Sequence, residues 1–249
     1  MFTVVQAQAQ TQPRGYFARL IGASPLEPSI RSQYRVALAE LKVGDLLENL
    51  GQRWDVLHDI PLGGSVLDHL SIGPAGTFAV VAANFRDQDV VIDGEQLLVA
   101  SESRDDIVRT AGQADAAAAL LTQAGGKPVH VQPLLVVVDP RKLIVKRPPT
   151  HVRIVSSGDL ERSLTRGQQI LSGDEVAALS DLADLESTWP VPADTDLNLQ
   201  RLHADFALVR LEVSSALVRR VLWGVVAFTV AYAIAWGMVA TLVSSMVGP

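Results

Sequence analysis

The chain of 249 residues predicts an α/β fold, a mixed central sheet flanked by helices, followed by a C-terminal transmembrane helix. Three observations predict it. Residues 66–72 and 77–84 are strand-like runs joined by Gly73-Pro74-Ala75-Gly76, the pattern of a β-hairpin. An alanine-rich segment of helical spacing, Ile107 to Leu121, suits close packing on a sheet, and the apolar run Leu134 to Val138 suits a strand buried on both faces. Residues 221–247 carry no charge over more than the roughly 20 residues a helix needs to cross a hydrocarbon core of about 30 Å.

In chain order, residues 1–28 are rich in Gln, Pro, Gly and Ser and predict a disordered segment. No signal peptide is expected there, because Met1 to Val5 is too short for an apolar core and residues 6–12 are a polar Gln-rich tract. Ile30, Tyr34, Leu38, Leu41, Leu46 and Leu50 recur at helical intervals, giving one amphipathic helix or two, with a weak point at Gly44 and a stop at Gly51. Trp54 to Ile60 reads as a first strand, and Pro61 with Gly63-Gly64 as a loop before the hairpin. Residues 90–92 and 95–99 flank Asp93-Gly94 as a second hairpin. Ser103, with Asp106 three residues on, predicts a helix start, and Gly125-Gly126 its end.

Residues 129–138, 143–145 and 152–155 read as three more strands. Ser157-Gly158-Asp159 and Ser172-Gly173-Asp174-Glu175 each start a helix, the second with a full capping box. Trp189-Pro190-Val191-Pro192 has the composition of a linker, and residues 197–218 are helical up to the membrane span. The expected division is a disordered segment 1–28, a folded domain 29–165, a helical extension and Pro linker 166–192, a juxtamembrane helix 193–220 and a transmembrane helix 221–247.

Arg219 and Arg220 immediately precede the span, with Arg201 and Arg210 upstream, so the positive-inside rule places the N-terminal domain in the cytoplasm. The expectation is a single-pass, tail-anchored membrane protein whose first partner is the lipid bilayer. Ala227, Ala231 and Ala235 recur every fourth residue and offer a close-packing face for a protein partner or for self-association.

Composition removes several chemistries. With no cysteine, thiolate zinc modules and disulfides are excluded. The 21 Lys and Arg against 27 Asp and Glu give a net charge of −6, which argues against general nucleic-acid binding. Phosphate-loop, dinucleotide and nucleophile-elbow motifs are absent, and His58, His69, His130, His151 and His203 show no metal-ligand spacing. Arg141, Lys142, Lys146 and Arg147 bracket a short strand and read as a solvated edge.

Asp68 stands out. It places a carboxylate inside an apolar hairpin strand, a costly burial unless it is paired or binds a metal. Val80, Val81, Ala82 and Ala83 of the facing strand offer it no side-chain partner. Glu40, the run Trp54 to Asp59, the run Leu67-Asp68-His69-Leu70-Ser71-Ile72-Gly73-Pro74-Ala75-Gly76-Thr77-Phe78, and later Ala114 to Leu121 and Leu134 to Val138 together resemble the nuclease-related domain (NERD) family, a branch of the PD-(D/E)XK nuclease superfamily. The similarity covers about residues 35 to 165.

The resemblance implies a helix Glu, a strand Asp and a Glu-x-Lys on the paired strand. Glu40 and Asp68 match the first two, as catalytic and metal-ligating remnants. The Glu and the Lys fall on Val81 and Ala83, and Asn84 fits the residue that follows. A divalent metal such as Mg²⁺ needs carboxylates, and a lysine would stabilise the charge developing at phosphorus. The expectation is therefore a catalytically silent domain serving as a binding or scaffold module, with no cofactor, or Mg²⁺ if activity remains. The alternative is a residual metal-dependent nuclease acting on DNA with ligands relocated to Asp87, Asp89 or Glu95.

Overall fold

A computed structural model of the chain describes residues 28–190, together with Thr229. The predicted disordered segment but for Pro28, the juxtamembrane helix, and all of the 221–247 span but Thr229 lie outside the described residues. Among the described residues, no helix is long and apolar enough to cross a membrane. One compact unit, residues 35–196, holds nearly everything that follows.

Helix α1 (Pro28–Glu48) is continuous. Gly44 lies buried within it and does not break it. A side chain at this position would press on two imidazoles, since an added Cβ would stand 3.3 Å from His69 and 3.4 Å from His58. Beyond the helix, Gly51 takes a φ of 94°, which marks the stop the sequence predicts.

Strands β1 (Asp55–Pro61), β2 (Val66–Gly73) and β3 (Gly76–Asn84) form an antiparallel meander. Strand β7 (Val131–Val138) then pairs parallel to β3, and β9 (Arg153–Ser156) parallel to β7, completing the sheet order β1-β2-β3-β7-β9. A parallel neighbour requires a long crossover. Here it includes helix α2 (Asp106–Gly125), which ends at Gly126 in the left-handed conformation with φ of 66°.

The two-residue period of β3 serves both faces of the sheet. Phe78, Val80 and Ala82 join Ala39, Val43 and Leu47 of α1 in one core, whereas Ala79, Val81 and Ala83 join Ile107, Ala114 and Leu121 of α2 in the other. Leu134 to Val138 is fully buried, as its continuous apolar run predicts.

The remaining strands form a second sheet that the sequence did not separate from the first. Strands β4 (Asp89–Asp93), β5 (Gln96–Val99), β6 (Glu102–Arg104) and β8 (Lys142–Arg147) take the order β6-β5-β4-β8. Asp93 pairs with Gln96, so the two turn residues are Gly94 and Glu95, one position beyond the expected Asp93-Gly94. Strand β8 is an edge strand, as its basic flanks suggest. Arg141 grips Asp89 through two bonds of 2.8 and 2.6 Å, and Arg147 binds Asp93, so both ends of β8 are tied to β4.

Ser103 lies in β6 and does not cap α2. That helix begins at Asp106, whose buried carboxylate is satisfied by Arg104 at 3.1 Å and Arg109 at 2.6 Å. Two guanidiniums take the place of the expected hydroxyl cap. After a short helix α3 (Leu160–Thr165), helix α4 (Gly173–Asp184) carries the predicted capping box, in which Ser172 and Glu175 bond reciprocally. Trp189 is not part of a linker. Its buried indole donates to the Ala183 carbonyl at 2.7 Å and packs with the α2-side core.

Candidate functional site

The register of β1 on β2 pairs His58 with His69 and Ile60 with Leu67, so Asp59 and Asp68 fall opposite each other. Like charges directly opposed in a sheet repel. Asp59 also adopts a φ of 53°, a left-handed conformation that costs on the order of 1 kcal/mol for such a residue. The β2–β3 ladder runs from Gly73–Gly76 to His69–Val80 and does not continue to Asp68. There the Ala82 main-chain N–H donates to Asp68 Oδ2 at 2.7 Å. The facing strand therefore does partner this carboxylate, through its backbone, which a list of side chains does not reveal.

Helix α1 brings Glu40 to the same place. Asp68 is half-buried, and its carboxyl is pushed up to about 7 by burial and by the nearby Glu40, against the pull of the Ala82 amide and Arg109. Glu40 is likewise raised, chiefly by burial and also by Asp59, with Arg109 opposing. Three carboxyl groups thus share one electrostatic neighbourhood, and the guanidinium of Arg109 on α2 acts on two of them. Among the described residues, no group of three or more His, Cys, Asp or Glu side chains converges closely enough to hold a metal ion.

A second network lies beside the acids. His58 Nδ1 and His69 Nδ1 are 2.7 Å apart, His69 Nε2 lies 3.1 Å from the Glu40 carbonyl, and His58 Nε2 lies 3.2 Å from Glu48. Since Nε2 of His69 faces a carbonyl, that nitrogen carries the proton, and its Nδ1 accepts from His58. Burial and the adjacent His58 push the His69 imidazole down to about 3. Glu40, Gly44 and Glu48, four residues apart along α1, are the positions that meet this pair.

Val81 and Ala83 are both buried in the α2-side core. Their side chains offer neither an oxygen to a metal nor a charge to a phosphate. Asn84 ties the end of β3 to α1, its amide donating to the Arg35 carbonyl at 2.7 Å. The three carboxylates considered as relocated ligands do other work. Asp87 is exposed in a turn with φ of 63°, Asp89 is held by Arg141, and Glu95 accepts from the Thr150 N–H at 2.8 Å.

Sequence reasoning identified Glu40 and Asp68, which the structure brings together. It missed Asp59, Arg109 and the histidine pair. The pair was detectable in principle, because a short loop between the first two strands sets a register from which His58 and His69 can be paired. Arg109 carried no such signal, since its approach depends on how α2 crosses the sheet.

The family model of the nuclease-related domain matches residues 35–138, a span that contains Glu40, Asp68, Val81 and Ala83. No curated protein and no solved structure matches the chain.

Proposed function

Because residues 35–138 are a nuclease-related domain, we propose that this protein is a catalytically silent member of that nuclease-related class, working as a binding or scaffold module held at the cytoplasmic face of a membrane. The observation that carries the first part is the burial of Val81 and Ala83, which puts apolar side chains where the resemblance calls for a metal-binding Glu and a charge-stabilising Lys. The membrane part rests on the uncharged run 221–247 and the arginines before it.

The test is a nicking assay on supercoiled plasmid with the full chain in mild detergent, with Mg²⁺ or Mn²⁺. No cleavage above that of Asp68→Ala is expected, and cleavage that this substitution abolishes would sink the proposal. A second reading, a residual metal-dependent nuclease on DNA, is favoured by one observation: burial and neighbouring carboxylates raise both Glu40 and Asp68, a pair of carboxyl groups that a bound divalent cation would relieve. Calorimetric titration of Mn²⁺ separates the two. Binding that disappears in both Glu40→Gln and Asp68→Asn supports the nuclease reading, and binding unaffected by either removes it.

A further inference from the structure

At the end of the central sheet away from Asp68, the loops before β7 and β9 and the exit from β8 enclose an open cavity of about 580 Å³. Phe78 pairs with Gln132 and Leu134 with Arg153, so this end lies by the first residues of β3, whereas Asp68 binds Ala82 near its last. Four residues of strand separate them, roughly 13 Å. The two places are distinct sites.

We infer that this cavity binds a small organic phosphate. Its lining holds the guanidinium of Arg153 and the imidazoles of His130 and His151, and no carboxylate is among the lining residues. A neighbouring cavity shares His130 and Gln132 and adds Lys127; its one acid, Glu175, is engaged by Ser172 in the capping box of α4. In a chain of net charge −6, a concave surface lined only by cationic and neutral groups selects for an anion.

Arg153 is set for such a ligand. Its guanidinium rests over the Phe78 ring at 5.5 Å and makes long bonds, 3.4 Å to the Ser163 carbonyl and 3.3 Å to Gln132. These contacts orient the group without neutralising it, and among the described residues no carboxylate pairs with it. An imidazole donates an N–H in either protonation state, so Arg153, His130 and His151 all bring donors to the lining, which suits the several oxygens of a phosphate better than the two of a carboxylate. Val145, Pro148, Pro149 and Ile154 supply an apolar wall for an organic portion, and the volume falls within the range of small-molecule sites.

The experiment is calorimetric titration of the full chain in mild detergent with inorganic phosphate, glycerol 3-phosphate and adenosine 5′-monophosphate, with adenosine as the uncharged control. Saturable binding of at least one phosphorylated probe is expected, none of adenosine, with a loss of roughly tenfold or more in Arg153→Gln and a smaller loss in Arg153→Lys. Asp68→Ala should bind as the wild type does, which keeps this site's test independent of the acidic one. No saturable binding of any phosphorylated probe up to about 10 mM overturns the inference. So does binding that survives in a folded Arg153→Gln chain. Should that variant not fold, the double substitution His130→Ala with His151→Ala takes its place, judged by the same loss of affinity.

Discussion

Asp68 and His69 are adjacent in the chain, yet burial moves their protons in opposite senses. Between about pH 4, where an unfolded Asp ionises, and pH 7, the folded chain keeps a proton on Asp68 that the unfolded chain has released. Stability from this group is therefore complete below pH 4 and is lost as pH rises through 7. His69 behaves in reverse. From about pH 6.5 down to about 3 the unfolded chain takes up a proton that the folded imidazole refuses, so stability falls as pH falls. The two slopes oppose each other between about pH 4 and 6.5. Removing one group should expose the other. Asp68→Asn retains an acceptor for the Ala82 amide, and it should gain about 2 kcal/mol at pH 8 while stability now rises with pH toward 6.5. His69→Gln should show the contrary slope. Urea unfolding at pH 5 and pH 8 measures both. Sequence reasoning found Asp68 as a carboxylate inside an apolar strand and Glu40 through a resemblance, but the histidine pair beside them depends on pairing across β1 and β2, which no single residue displays.

At the scale of elements, close approaches fix how strands and helices meet. The Trp54 ring lies directly against Gly73, where any added Cβ would overlap it. Gly73→Ala should therefore cost about 2–3 kcal/mol, read as a lower midpoint in thermal or urea unfolding, because the indole would have to shift from its place beside Phe78. Trp189→Ala should cost about 3 kcal/mol by the same measurement, through a cavity in the α2-side core and an orphaned Ala183 carbonyl. The hairpin β2–β3, strand β7 and the capping box of α4 were legible because each is specified within one short stretch. The second sheet was not. Its β4–β8 pairing joins Asp89 to Lys142 across α2 and β7, and an alternating pattern states which face of a strand is apolar without naming its neighbour. Trp189 was misread for a related reason, since the prolines around it gave a strong local signal of a linker while its indole had a distant partner.

For the whole molecule, anchoring through residues 221–247 would show in fractionation. Full-length protein should sediment with membranes and resist alkaline carbonate extraction, and a chain ending at residue 220 should move to the soluble fraction. Membrane retention of the shortened chain would remove the transmembrane reading while leaving the nuclease-related domain untouched. Within that domain, the bond from the Ala82 amide to Asp68 has a spectroscopic consequence. Hydrogen bonds to an ionised acceptor are shorter and stronger than those to a neutral one. The Ala82 amide proton should therefore move downfield and exchange more slowly with solvent as pH passes through about 7, tracing the Asp68 titration. A single backbone resonance would report the charge of the acidic site, with no ligand and no substrate added.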